Sequence, residues 1–210
     1  MRRRLRILWV SFLIVIVDQI TKLWVKGFSI PGLGIEVAGM RYGTSIPVLG
    51  DFFRLTYIEN PGMAFGIDLG GKLFFSLFSI ALSFGILYYL LRVQTERFAL
   101  RLSLALILGG AIGNMIDRTF YAVLFDQGPL FYGKVVDFLD VDFFDINILG
   151  FSLHRWPVFN VADACVTVGI AMLLIMQTRH ESRARSSSEA SASAAAPSNE
   201  TNSPASNSPQ

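Results

Sequence analysis

Two aspartates stand where a carboxylate is hardest to keep charged. Asp137 lies in GKVVDFLDVDFFDIN, residues 133–147, flanked by Val135, Val136, Phe138 and Leu139. Asp140, Asp142 and Asp145 follow in a more polar run and are expected to face water. Asp163 lies in FNVAD, about a turn inside an apolar stretch that begins at Pro157, and a lone aspartate at that depth is costly unless it is paired. Asn160, three residues earlier, projects from the same face. Two carboxylates held together cannot both ionise easily and share one proton. Such a pair can activate a water for attack on an amide.

Other polar residues occur inside or at the edge of apolar runs. Asp18 and Lys22 are four residues apart on one helix face; a structural ion pair and a catalytic role are both open for them. Asn114 and Asp117 are three apart, with Arg118 adjacent, and either interfacial anchoring or a place in a site suits the Asp117–Arg118 pair. Upstream, Ala105, Gly109 and Gly113 form a small-residue stripe that lets another helix approach closely. Cys165 is the only cysteine, which excludes an intrachain disulfide and a thiolate cluster; it reads as a packing residue. With only His154 and His180 besides, no metal site is expected, and no cofactor-binding or nucleic-acid-binding pattern is evident.

The elements that position these residues follow from composition. The 210 residues are 52% hydrophobic and 16% charged, with a mean hydropathy of +0.50, against about 25% charge in soluble domains. Four segments, roughly Ile7 to Val25, Leu73 to Leu91, Leu100 to Ile116 and Pro157 to Gln177, are long enough to cross a bilayer. Arginines at 2, 3, 4 and 6, at 92, 97 and 101, and at 179, 183 and 185 put both termini in the cytoplasm by the positive-inside rule. A cleaved secretory signal is disfavoured, because the first run passes through Asp18, Thr21 and Lys22 without a small-residue cleavage site.

The expected fold is a mainly α membrane protein of four transmembrane helices. A small extracytoplasmic β element is expected at about 27–72, where turn signals alternate with β-prone runs such as FFRLTYI, and an interfacial loop or helix at about 118–156. Residues 1–180 form the membrane domain, and 181–210 a cytoplasmic tail that is disordered, its end from Ser186 being almost entirely Ser, Ala, Pro and Asn.

Taken together, DQITK at 18–22, ENPGMAFG at 59–66, GGAIGNMIDR at 109–118, VVDF at 135–138 and FNVAD at 159–163 resemble the lipoprotein signal peptidase (signal peptidase II) family, in order and across all four helices. The resemblance implies an intramembrane aspartic endopeptidase of the bacterial inner membrane, without cofactor or metal. Its substrates would be diacylglyceryl-modified prolipoproteins, cut just before the lipid-bearing cysteine near the outer face, with membrane lipid as a further partner and globomycin as an inhibitor. Asp137 and Asp163 match the family's catalytic dyad; Asp18, Lys22, Asn60, Gly66, Asn114, Asp117, Arg118 and Asn160 match positions that bind substrate or support the site. The chain departs from the family pattern in long connections before VVDF and before FNVAD and in an extended first outer loop, which bear on the site entrance. Two other classes fit the residues less well. An ion-coupled transporter needs inverted repeats and more spans, and a non-enzymatic assembly protein would explain the small-residue stripe but not Asn160, Asp163 and Asp137.

Overall fold

A computed structural model describes residues 4–62, 71–93, 97–142, 146–148, 151–153 and 155–195. After a single tight turn at Arg4–Ile7, helix α1 (Leu8–Lys26) ends at Gly27, whose φ of 79° turns the chain out. Strands β1 (Phe28–Ile30) and β2 (Ile35–Val37) form one hairpin, and β3 (Ser45–Leu49) and β4 (Phe53–Asn60) a second. Helix α2 (Gly71–Arg92) leads to α3 (Phe98–Ile116), which continues through a π turn at Asp117–Tyr121 into the single turn α4 (Ala122–Leu124). Strand β5 (Val135–Val141) follows, then the short pair β6 (Ile146–Ile148) and β7 (Phe151–Leu153), then α5 (Val161–Ala195).

Among the described residues, four helices are long and apolar enough to span a membrane: Leu5–Lys26, Gly71–Arg92, Phe98–Leu124 and Val161–Thr178. The third is longer than the sequence suggests, because the π turn carries helical backbone past Ile116. Asp117 and Arg118 are therefore helical residues, not the start of a loop. Widened turns of this kind occur often at functional sites.

The third span is the most buried of the four, and its small-residue stripe explains why. Ser11 Oγ donates to the Ala105 carbonyl at 2.8 Å. A Cβ on Gly109 would lie 2.9 Å from that of Ile14, and one on Gly113 2.6 Å from Asp18 Oδ2. All three positions thus receive α1, while a Cβ on neighbouring Gly110 would lie 2.3 Å from the Ala162 carbonyl of α5. Glycine allows two helices to close on α3 at one level, and that level carries the polar residues.

The β element draws on both of the long connections. β5 pairs antiparallel with β4 to complete a three-stranded sheet, β3-β4-β5, so the second connection supplies a strand besides the expected loop and helix. The register places Asp137 opposite Ile58 and Asn60 opposite Val135, with a bulge between Leu55 and Ile58. Opposed residues and alternate residues share a face, so Asn60 and Asp137 do too. Val25, Tyr57, Tyr121, Val136 and Phe138 form a buried cluster that seats the sheet on α1 and the end of the third span.

Met1–Leu173 form one compact unit and Leu174–Gln210 a second. In the second, α5 is helical to Ala195. The Ala, Arg and Glu content of this stretch favours helix. Gly66, Asp145, His154 and the tail beyond Ala195 lie outside the described residues.

Candidate active site

The fourth span begins at Val161 rather than Pro157, so FNVAD straddles a helix start. Asn160 is the cap and Asp163 the third helical residue. Asn160 Oδ1 accepts the Asp163 N–H at 2.9 Å, and Asp163 Oδ2 accepts the Asn160 N–H at 3.3 Å. This reciprocal capping box fixes Asp163 at the mouth of the helix, not a turn within it. Preceding Phe159 lies along the free edge of β5, its N–H donating to the Leu139 carbonyl at 3.0 Å and its carbonyl accepting from Leu139 at 2.7 Å. That pairing brings the helix start beside Asp137.

Two asparagines join the carboxylates. Asn160 Nδ2 donates to Asp137 Oδ1 at 2.6 Å and to Asn114 Oδ1 at 3.2 Å, and Asn114 Nδ2 donates to Asp163 Oδ1 at 2.7 Å. Asn114 Oδ1 also accepts from Lys22 Nζ at 2.9 Å. Because an ammonium can only donate, this contact orients the Asn114 amide and aims its NH₂ at Asp163.

Behind the asparagines is an ionic cluster. Lys22 lies 2.8 Å from Asp18 and 2.8 Å from Asp117, and all three side chains are fully buried. With Asn114, these acceptors use all three ammonium protons. The two oxygens that Lys22 leaves free are also bonded, Asp18 Oδ1 to the Ala162 N–H at 2.9 Å and Asp117 Oδ1 to Gln19 Nε2 at 2.8 Å, while Asp117 Oδ2, besides Lys22, accepts the Val136 N–H at 3.2 Å. The cluster thereby grips both neighbours of the facing carboxylates, Ala162 beside Asp163 and Val136 beside Asp137. Gln19 and Tyr121, whose hydroxyl donates to Gln19 at 3.1 Å, were missed in the sequence reading. A glutamine within an apolar span was the available signal.

Asp137 and Asp163 line one cavity of about 430 Å³ with Asn60, Trp156, Pro157, Val158, Phe159, Ala164, Thr167 and Val168. Burial, and then the facing carboxylate of Asp163, push the Asp137 carboxyl from 3.8 up to about 7. Arg118 does not pair with either, but its guanidinium sits over the Phe75 ring at 5.5 Å and within electrostatic reach of both. Among the described residues, no group of three or more His, Cys, Asp or Glu side chains is placed to hold a metal ion.

The expectation for Asp140 is corrected. It is buried, not solvated: Arg155 pairs with its Oδ1, and Thr56 donates to Oδ2 at 2.6 Å. Alternation along β5 puts it on the face away from Asp137.

Residues 10–179, which include every motif residue named above, match the signal peptidase (SPase) II family, Peptidase_A8. The chain belongs to the signal peptidase II family. Lipoprotein signal peptidase of Porphyromonas gingivalis is 35% identical over 195 residues, covering 80% of this chain and 80% of the relative. Its counterpart in Desulfitobacterium hafniense is 34% identical over 181 residues, covering 85% and 97%. A solved bacterial membrane enzyme, determined by the in meso method at 2.3 Å resolution, superposes with a TM-score of 0.61 at 27% identity, covering 84% of this chain and 90% of that one. The family resemblance seen in the five motifs is thus confirmed. The chain is a multi-pass membrane protease of lipoprotein processing, and the transporter and assembly readings are set aside.

Proposed function

We propose that this signal peptidase II family member removes the signal peptide of diacylglyceryl-modified prolipoproteins with Asp137 and Asp163 as its catalytic dyad, cutting just before the lipid-bearing cysteine. The observation that carries the reading is the convergence of two carboxylates from separate elements on one cavity, each held by an asparagine. Asp137, with its raised affinity for a proton, is the acid. Asp163, both of whose oxygens accept hydrogen bonds, is the base. Asp163 takes a proton from a water as it attacks the scissile carbonyl, and Asp137 donates a hydrogen bond to the developing oxyanion and then helps to protonate the leaving amine.

The supporting residues have distinct tasks in this scheme. Asn114 and Asn160 orient the dyad. Asp18, Lys22 and Asp117 hold the backbone on which it stands, and Arg118 supplies nearby positive charge. Asn60, on the cavity wall, is placed to bond substrate backbone. Gly66 completes the family set. The arginine distribution orients the protein in the bacterial inner membrane with both termini cytoplasmic and the dyad near the outer face. Acyl chains left in the bilayer, at about 0.8 kcal/mol per buried CH₂, would anchor the scissile bond at that depth.

A gel-shift assay in detergent tests the reading. The diacylglyceryl prolipoprotein is expected to be cleaved and the unmodified one cut far more slowly. Globomycin is expected to block the reaction and a chelator to leave it unchanged. Equal rates on both substrates would remove the anchoring argument, and a chelator-induced loss restored by zinc would contradict the dyad chemistry.

A further inference from the structure

We propose that Arg155 and Asp140 form a staple that positions one wall of the substrate cavity. The inference rests on the dyad reading of the site and adds two positioning residues to it. It begins from the long connection between β5 and α5, which departs after Asp142, includes the β6–β7 pair and returns at Arg155. At the return point one guanidinium closes the loop. Its Nε pairs with Asp140, one terminal nitrogen lies 3.4 Å from Asp142 Oδ2, and the other donates to the Asp51 carbonyl at 2.8 Å. Arg155 thereby ties the loop both to the end of β5 and to the turn between β3 and β4.

The next four residues, Trp156, Pro157, Val158 and Phe159, all line the cavity that holds Asp137 and Asp163. Phe159 is fixed to β5 by backbone bonds to Leu139, and Asn160 by its side chain to Asp137. The wall is thus clamped at both ends, by the guanidinium at one and by the β5 edge at the other. Its anchor is firm because Asp140 is itself buried, with its second oxygen satisfied by Thr56, whose own hydroxyl lies 2.7 Å from that of Ser45. Asp140 faces away from the dyad, so its charge holds structure and is not aimed at the reacting atoms. An arginine suits this position because its planar fork can serve several acceptors at once, whereas an ammonium acts as a point charge.

Loosening one clamp lets the wall move while the dyad remains held by Asn114, Asn160 and the ionic cluster. The effect should fall on substrate capture rather than on the chemical step. With the lipid-modified prolipoprotein, Arg155→Gln and Asp140→Asn are each expected to raise KM about tenfold while kcat changes by less than about twofold and its pH profile is unchanged. The double variant should be no worse than either single variant, because both break the same contact. Asp142→Asn, at a longer and more exposed contact, should leave KM within about twofold.

Thermal unfolding in detergent accompanies each measurement. If Arg155→Gln does not fold, Arg155→Lys, which keeps the charge but loses the fork, reads the same KM. An unchanged KM in the folded variant used, additive losses in the double variant, or a loss confined to kcat with a displaced pH profile would each overturn the staple. Failure of the dyad reading shows separately, as cleavage retained by Asp137→Asn.

Discussion

Asp137→Asn and Asp163→Asn are each expected to lower kcat by about a thousandfold or more, within the range that positioned acid and base groups contribute. Both variants should still fold. An asparagine at 137 keeps an oxygen to accept from Asn160, and one at 163 keeps an oxygen for Asn114 or for the capping bond. What each loses is the ability to carry and release a proton. The pH dependence follows with a definite sign. Asp137 is raised from 3.8 to about 7, mainly by burial and then by Asp163, so the folded protein holds this proton more tightly than the unfolded chain. Its contribution to stability is complete below the ordinary value and is lost as pH rises through about 7, and activity that needs the protonated acid should fall over the same upper range. Asp137→Asn should therefore flatten the stability profile of the wild type between pH 3.8 and about 7. Single-turnover cleavage and thermal unfolding, each across pH, check both statements. Near-wild-type turnover by either purified variant would remove that residue from the dyad.

How the site could be read in advance differs residue by residue. The four spans were legible because apolar length alone determines them. Asp18, Lys22, Asn114 and Asp117 were legible because polar groups in such runs stand out, and so was the Asp18–Lys22 pair from its spacing, but not its meeting with Asn114 and Asp117, which depends on how closely the glycines of α3 admit α1. The start of α5 was misplaced because Pro157 and Val158 look like the beginning of an apolar run. The signal that Asn160 and Asp163 are cap and third residue was present in N-x-x-D and was read only as shared facing. Asp140 was misjudged for a related reason. Asp142 and Asp145 follow close behind it and suggest a solvated run, but its partner Arg155 lies across a long insertion, and nothing local reports a contact between the two ends of a loop. β5 also gave no alternation signal, since its residues are buried on both faces from Val135 to Phe138, as for a strand covered on both sides.

The ionic cluster beneath the dyad supports the second large expectation. Lys22 is the only cation in contact with Asp18 and Asp117 among the described residues, and all three are inaccessible to solvent. Lys22→Met removes the charge but keeps most of the apolar volume, leaving two neighbouring buried carboxylates without a counterion. Breaking a buried pair in this way costs about 3–5 kcal/mol, a large share of the roughly 5–15 kcal/mol that holds a typical domain folded. Lys22→Met should therefore show a marked fall in thermal stability in detergent and a poor yield of folded protein. The triple variant Asp18→Asn, Lys22→Met, Asp117→Asn, which removes all three charges together, should recover much of that stability, since the penalty arises from uncompensated charge and not from lost volume. Cleavage should not recover with it. Asn114 would lack the ammonium that orients its amide toward Asp163, so the base would no longer be held in place. A Lys22→Met protein as stable as the wild type would show that the carboxylates accept burial without the lysine, and a triple variant with full activity would show that the dyad does not depend on the cluster for its alignment.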